Sequence, residues 1–235
     1  MAGPLATATE GAAADAFADA VSDGAAAARL VAVQLLSPAF PTGGFAYAQG
    51  LEWAMDAGIV TDAATLEDWI GAVLAHGALW SDAVLMALAL RPGADPARLD
   101  ALARALCLSP ERLTETLEQG AAFARTAAAL GLGAPTPAAL PVAVGRALAP
   151  LGLPAPEVLA LYLHGQALNL TLAAVRFLPL GQTDGQRLLA ALGPAIRATA
   201  ARASAADEAA LGTCALGAEI AQMRHETMPT RIFRS

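Results

Sequence analysis

No lysine occurs anywhere in this sequence, and all 14 of its basic residues are arginine. A standard phosphate loop, whose lysine reaches the nucleotide phosphates, is therefore excluded. Cysteine is almost absent as well: Cys107 and Cys214 stand far apart, with no CxxC pair and no His–Cys cluster. That excludes a disulfide framework and a zinc module, and it leaves two thiols expected to be buried in a reducing compartment. Aromatics are only 5% of the 235 residues and charged residues 15%, so much of the 56% hydrophobic content is alanine. Alanine forms helix well and adds little apolar bulk, so a mean hydropathy of +0.51 describes a packed helical protein better than a membrane one. The formal net charge is −7 and the arginines are scattered, which argues against nucleic-acid binding.

Long uninterrupted apolar runs are missing too. Trp69 to Leu90 contains His76, Ser81 and Asp82, and Ala160 to Leu180 contains His164, Gln166, Asn169 and Arg176. Polar groups at mid-span are costly in a bilayer, so neither run is expected to cross one. The amino end shows no basic segment followed by an apolar stretch, so no signal peptide is expected. The chain is expected to be soluble and cytoplasmic.

What is present is helical. Residues 1–25 form an alanine- and glycine-rich stretch with Glu10, Asp15 and Asp19 and few large side chains, expected to be a disordered arm. Residues 26–223 are expected to fold as a single-domain all-α bundle of about eight to ten helices, and residues 224–235 form a short tail. Leu66, Trp69, Ile70, Val73 and Leu74 follow helical spacing, behind Thr65 to Asp68 read as a weak capping box. Ser109-Pro110 reads as an N-cap with proline at the first helical position, opening a helix with Leu113, Leu117 and Ala124 inward. A helix is expected to resume near Ala46, putting Tyr47, Gly50, Leu51 and Ala54 on one face. No strand-like alternation and no internal repeat occurs.

Motifs of chemistry are scarce. His76 and His164 lie in apolar segments and are expected to be hydrogen-bonded core or interface residues rather than ligands. Glu52 and Asp56, one helical turn apart, could pair as catalytic carboxylates, but a solvated face is the simpler expectation. No serine or cysteine nucleophile sits in a recognisable frame. A small helical enzyme using Glu52, Asp56 and a histidine stays as an alternative, as does a membrane-associated protein. No catalytic, cofactor-binding or metal-ligating residue is assigned.

Three stretches stand out from an ordinary bundle. The first is the loop Ser37 to Phe45, with two prolines and adjacent glycines, running on through Tyr47, Gln49, Gly50 and Glu52. The second is Pro179-Leu180-Gly181-Gln182-Thr183-Asp184-Gly185-Gln186. The third is the tail Arg224-His225-Glu226-Thr227, closing on Arg231-Ile232-Phe233-Arg234-Ser235. Apolar residues between arginines would be left exposed on a solvated end, and a partner surface would use them.

These motifs, in this order, resemble the urease accessory protein UreF family. The resemblance spans about residues 30–235 and weakens between Arg91 and Leu140, where Glu118-Gln119-Gly120 is the main part kept. It departs at Ala46 and Ile232, where the family more often has serine and leucine. It implies an all-α, dimeric, non-catalytic chaperone that bridges the scaffold UreD (also called UreH) and the GTPase UreG during nickel insertion into apo-urease. Nickel and GTP would belong to the complex and the GTPase partner, with no cofactor in this chain. The implied partner-binding residues are Phe45, Tyr47, Gln49, Gly50 and Glu52 near the amino end and Gln182, Asp184 and Gln186 in a loop. In the tail they are His225, Glu226, Arg231, Phe233, Arg234 and Ser235, with Phe233 as the anchor docked on UreD. A GTPase-regulating role, with Arg224 or Arg231 as an arginine finger, is a further possibility.

Overall fold

The computed structural model describes residues 24–133 and 135–235, and among them every regular element is helical. Apart from Gly24 and Ala25, the expected amino-terminal arm lies outside the described residues. In chain order the helices are α1 (Ala25–Leu36), α2 (Leu51–Asp56), α3 (Ala63–His76), α4 (Ala78–Ala89), α5 (Pro96–Ala105) and α6 (Pro110–Ala129). They continue with α7 (Leu140–Leu148), α8 (Ala155–Val175), α9 (Gln182–Ala191), α10 (Gly193–Ala205) and α11 (Leu216–His225). Short 3-10 turns occur at Gly44–Ala46, Ala149–Leu151 and Glu208–Ala210. The all-α architecture matches the expectation from sequence.

Three helices, α3, α5 and α6, start at a short polar side chain that satisfies free backbone N–H groups. Asp95 accepts from the amides of Ala97 and Arg98 ahead of α5, and Ser109 accepts from the amide of Arg112 ahead of α6. The capping box of α3 falls three residues earlier than expected. Asp62 accepts from the Thr65 amide at 2.9 Å, and Thr65 Oγ1 accepts from the Asp62 amide at 3.1 Å. Pro194, in the first turn of α10, separates that helix from α9.

Two helices occupy the centre. α8 packs against α10, α9, α4 and α1, and α4 packs against α7, α10 and α3. Residues 63–89 and α8 are long and apolar enough to cross a membrane by length and composition, contrary to the expectation that their polar residues would disqualify them. Their apolar sides are instead spent on the core: Leu66, Ile70, Leu74, Leu79, Leu85 and Met86 are fully buried, as are Leu159, Leu163 and Leu170. A helix that is apolar on nearly all sides belongs in the middle of a bundle. His76 and His164 are both exposed, so of the core and interface roles expected for them the core one is excluded.

Two elements depart from the periodicity reading, and both bear on the candidate site. Residues 47–49 are not helical. Tyr47 is extended, Gln49 has φ 54° and Gly50 φ 78°, and α2 begins only at Leu51. A side chain at Gly50 would be strained at that φ, and its Cβ would lie 2.5 Å from the Gln222 amide nitrogen. α2 and α11 can therefore meet only through glycine. In α6, the buried face is polar: Arg112, Glu115, Thr116 and Gln119 are buried beside Phe123, while Leu113 and Leu117 are only half-buried. Gly120 lets the 138–140 segment cross that face, since a Cβ there would sit 1.9 Å from the Ala138 carbonyl.

Candidate functional site

The tail folds back onto its own chain. The Arg234 amide donates to the Ala46 carbonyl at 2.8 Å, and the Ala48 amide donates to the Ser235 carbonyl at 3.0 Å. These bonds tie the backbone on either side of the extended Tyr47 to the tail and explain why the helix does not start there: the Ala46 carbonyl and the Ala48 amide are taken by the tail. Phe233, expected as an anchor on a partner, is 4% exposed and buried in this chain. Its ring lies 5.8 Å from that of Phe177, with the Arg176 guanidinium 5.9 Å above it, at the end of α8.

Glu52 organises this docking. Its carboxylate is 2% exposed and accepts from the backbone amides of Ile232 at 2.7 Å and Phe233 at 2.8 Å. Its Oε2 also lies 3.1 Å from His225 Nε2. A buried carboxylate that accepts several N–H bonds is well satisfied, so Glu52 is a structural clamp and not part of a solvated face. Asp56 is exposed, so the two do not form a carboxylate pair.

α6 supplies the opposite wall. Glu111 Oε2 lies 2.6 Å from His225 Nδ1, its Oε1 pairs with Arg231, and its amide donates to Glu226. Glu115 Oε2 accepts from the Ser235 hydroxyl at 2.9 Å, and its Oε1 accepts from the Gln49 amide group at 3.0 Å. At the rim Glu118 pairs with Arg234 and accepts from the Tyr47 hydroxyl, while the Arg234 guanidinium stacks 5.3 Å from the Tyr47 ring centre. Arg234 and the Tyr47 hydroxyl together hold the Glu118 carboxyl below its usual range. Burial, with Glu118 beside it, pushes the Tyr47 phenol well up.

Below the tail lies a buried ionic cluster. Arg112 bridges Asp82 at 2.6 Å and Glu115 at 3.2 Å, and the Tyr162 hydroxyl donates to Asp82 at 3.2 Å. Burial works against the Arg112 charge, but the two carboxylates beside it hold its pKa above the ordinary value. One guanidinium serves two carboxylates, and burial pushes Glu115 up. The sequence reading missed Asp82, Glu111, Arg112 and Glu115. The available signal was a stripe at Arg112, Glu115 and Gln119 sharing a helix face with Gly120, Phe123 and Ala127.

The structure thus brings the first and third motif stretches together and leaves the second apart. Tyr47, Gln49, Gly50, Glu52, His225, Phe233 and Ser235 are all buried in the tail-docking site. Glu226 is half-buried there, and Arg231 and Arg234 lie on its rim. Phe45 alone of the amino-end set points outward, at 69% exposure. Gln182, Asp184 and Gln186 lie in the first turns of α9, not in a loop; Asp184 accepts from the Gly181 amide and from Arg187. Gln182 and Gln186 are exposed.

Outside the site, α11 presents Leu216, Ile220 and Met223 to solvent at i, i+4 and i+7, and the tail adds Ile232. No group of three or more His, Cys, Asp and Glu residues is placed to hold a metal among the described residues.

Comparison with known proteins points one way. The UreF family model matches residues 60–193. The chain is 61% identical over 209 residues to a urease accessory protein UreF of Paracoccus denitrificans, covering 89% of this chain and 97% of that protein. It is 59% identical to the UreF of Cereibacter sphaeroides over 209 residues, covering 89% of this chain and 99% of the relative. It is 46% identical to the UreF of Roseobacter denitrificans over 207 residues, 88% of this chain and 93% of the relative. The family model covers the α6 wall of the tail-docking site but neither residues 45–52 nor the tail, whereas the relatives extend over most of the chain. With an all-helical fold and matches of this breadth, the chain belongs to the UreF family of urease accessory proteins, with a role in urease maturation.

Proposed function

We propose that this chain is a non-catalytic adaptor that bridges the scaffold UreD (UreH) and the GTPase UreG while nickel is delivered to apo-urease. The observation that carries this reading is the outward stripe Leu216, Ile220 and Met223 on α11. The inner side of that helix packs on α2, and its end runs into the docked tail. An ordered helix that leaves three large apolar side chains in water at one-turn spacing has the form of a helix-face docking surface. The tail's part in binding UreD is therefore indirect. Phe233 and Ser235 seat the tail on α2 and α6, while Ile232 and the α11 stripe remain outward for the scaffold.

α1 presents a separate apolar face through Leu30 and Val33, suited to a second copy of the chain, so the working unit is a homodimer. Phe45, Gln182 and Gln186, all exposed, are available to UreG. Nickel is cargo and GTP is the partner's ligand, and the assembly works in the cytoplasm.

Co-purification with UreD and UreG tests the reading. Ile220→Asp should abolish UreD capture while helicity is unchanged, and deleting Met228 to Ser235 should do the same. Capture of UreD at the wild-type level by the Ile220→Asp chain would refute the assignment of the surface. Nickel-dependent urease activation that proceeds equally without the chain would refute the adaptor role.

A further inference from the structure

We propose that a narrow pocket on the flank of α11 receives one lysine side chain of the protein that docks on that helix, with Glu219 binding its ammonium group. The inference deepens the function proposed above and rests on it, UreD being the docking protein. The pocket lies between α11, α4 and the residues leading into α6, and its walls include Asp82, Cys107, Leu108, Arg112, Glu219 and Gln222. It encloses about 450 Å³ of empty space, counted out to its mouth, against about 800 Å³ for the cleft at Gly93 and Gly133.

Glu219 is 9% exposed, and among the described residues no protein group hydrogen-bonds its buried Oε1. A buried acceptor is costly until a donor reaches it. The one cation in the wall cannot serve, because the Arg112 guanidinium is spent on Asp82 and Glu115. Two acidic side chains in the wall, Asp82 and Glu219, thus stand against a single arginine that is already shared with a third. A donor carrying positive charge matches such a place better than a neutral one.

Position selects the donor. Leu216 precedes Glu219 by three residues and Met223 follows it by four, so Glu219 adjoins the outward stripe on the helix surface. Leu108, on the facing wall, is itself 45% exposed. A partner that covers the stripe therefore also covers the edge of the pocket. A lysine there can lay its stem along the apolar lip and carry its charge inward. Its ammonium is compact, whereas the guanidinium of arginine is a broad planar fork, and the pocket is narrow. The chain contains no lysine, so neither this molecule nor a second copy of it can supply that side chain.

Two measurements on the full chain test this. The first needs no partner: in a Cys214→Ser chain, Cys107 of the same wall is labelled with methyl methanethiosulfonate, a neutral reagent. n-Butylammonium should slow the labelling more than n-butanol at equal concentration, and Glu219→Gln should abolish that difference. Equal labelling rates with the two would mean a pocket that holds water only, and would overturn the proposal. The second is affinity for UreD, which Glu219→Gln should weaken by about tenfold or more, with a flatter salt dependence and unchanged helicity. Wild-type affinity and salt dependence in that variant would overturn the lysine site and leave the adaptor reading standing. If the wild-type chain does not bind UreD, the adaptor reading fails, and the Cys107 labelling decides the pocket on its own. If Glu219→Gln does not fold, the butylammonium and butanol comparison in the Cys214→Ser chain decides it.

Discussion

The tail and the start of α9 carry motifs of similar length and polarity, yet the fold treats them in opposite ways. The tail turns inward. Phe233, Ser235 and His225 are buried, and each is tied to Glu52, Glu115 or the end of α8. In α9 Gln182 and Gln186 point to solvent, and Asp184 does no more than begin a helix. A motif can therefore mark either a surface or the internal joint that shapes one. Partners of its polar groups tell them apart: a residue whose hydrogen bonds close on its own chain builds, and one whose bonds are open is free to bind.

The contrast can be broken most forcefully at Glu52. Glu52→Ala leaves the Ile232 and Phe233 amides and His225 without their acceptor, and should weaken tail docking by about 3–5 kcal/mol. Hydrogen exchange should show residues 225–235 unprotected while α8 stays protected, because the tail can open locally. A uniform loss of protection would make Glu52 a core residue of the whole bundle instead. Next in size is Gly50→Ala, which combines strain at φ 78° with a close approach to Gln222 and should cost about 2–4 kcal/mol, read from urea denaturation.

On the outward side the effects should be smaller. Asp184→Ala removes the side chain that accepts from the Gly181 amide and should cost about 0.5–1 kcal/mol, whereas Gln182→Ala and Gln186→Ala should stay within about 0.5 kcal/mol. A larger loss in either glutamine variant would mean that α9 is also an internal joint. Smallest is the acid response of the rim. Glu118 lies below its usual range because of Arg234 and Tyr47, so its contribution is present above the ordinary carboxylate value. It is lost as pH falls through the lowered one. Glu118→Gln should flatten that acid limb of the denaturation midpoint by only a few tenths of a kcal/mol, because the pair is exposed.

Local features were legible in the sequence, and distant pairings were not. Ser109-Pro110 announces α6 because a cap acts over three residues. Leu66, Ile70 and Val73 announce α3 through spacing alone. The non-helical course of residues 47–49 was hidden because groups that hold it come from the tail. Arg112 and Glu115 did not stand out in the sequence, since their partners Asp82 and Gln49 lie 30 and 66 positions away. The histidines show the same limit. His76 and His164 have apolar neighbours in sequence yet are exposed, while His225, beside a polar tail, is the buried one. The family resemblance identified the three stretches but could not say which faced inward.

The bond between His225 and Glu52 joins residues 173 positions apart, and the Phe233 amide reaches Glu52 across 181. Closures of that span are slow and come late in folding, since local helices form long before such distant ends meet. During synthesis, Glu52 leaves the ribosome with its carboxylate unsatisfied and stays so until residues 225–235 have been made. A chain truncated in translation, or nicked near its end, would retain most of its helices and lack the seated tail. Closing this joint last makes the synthesis of residues 225–235 a condition for seating them on Glu52 and Glu115, and so for finishing the surface beside α11.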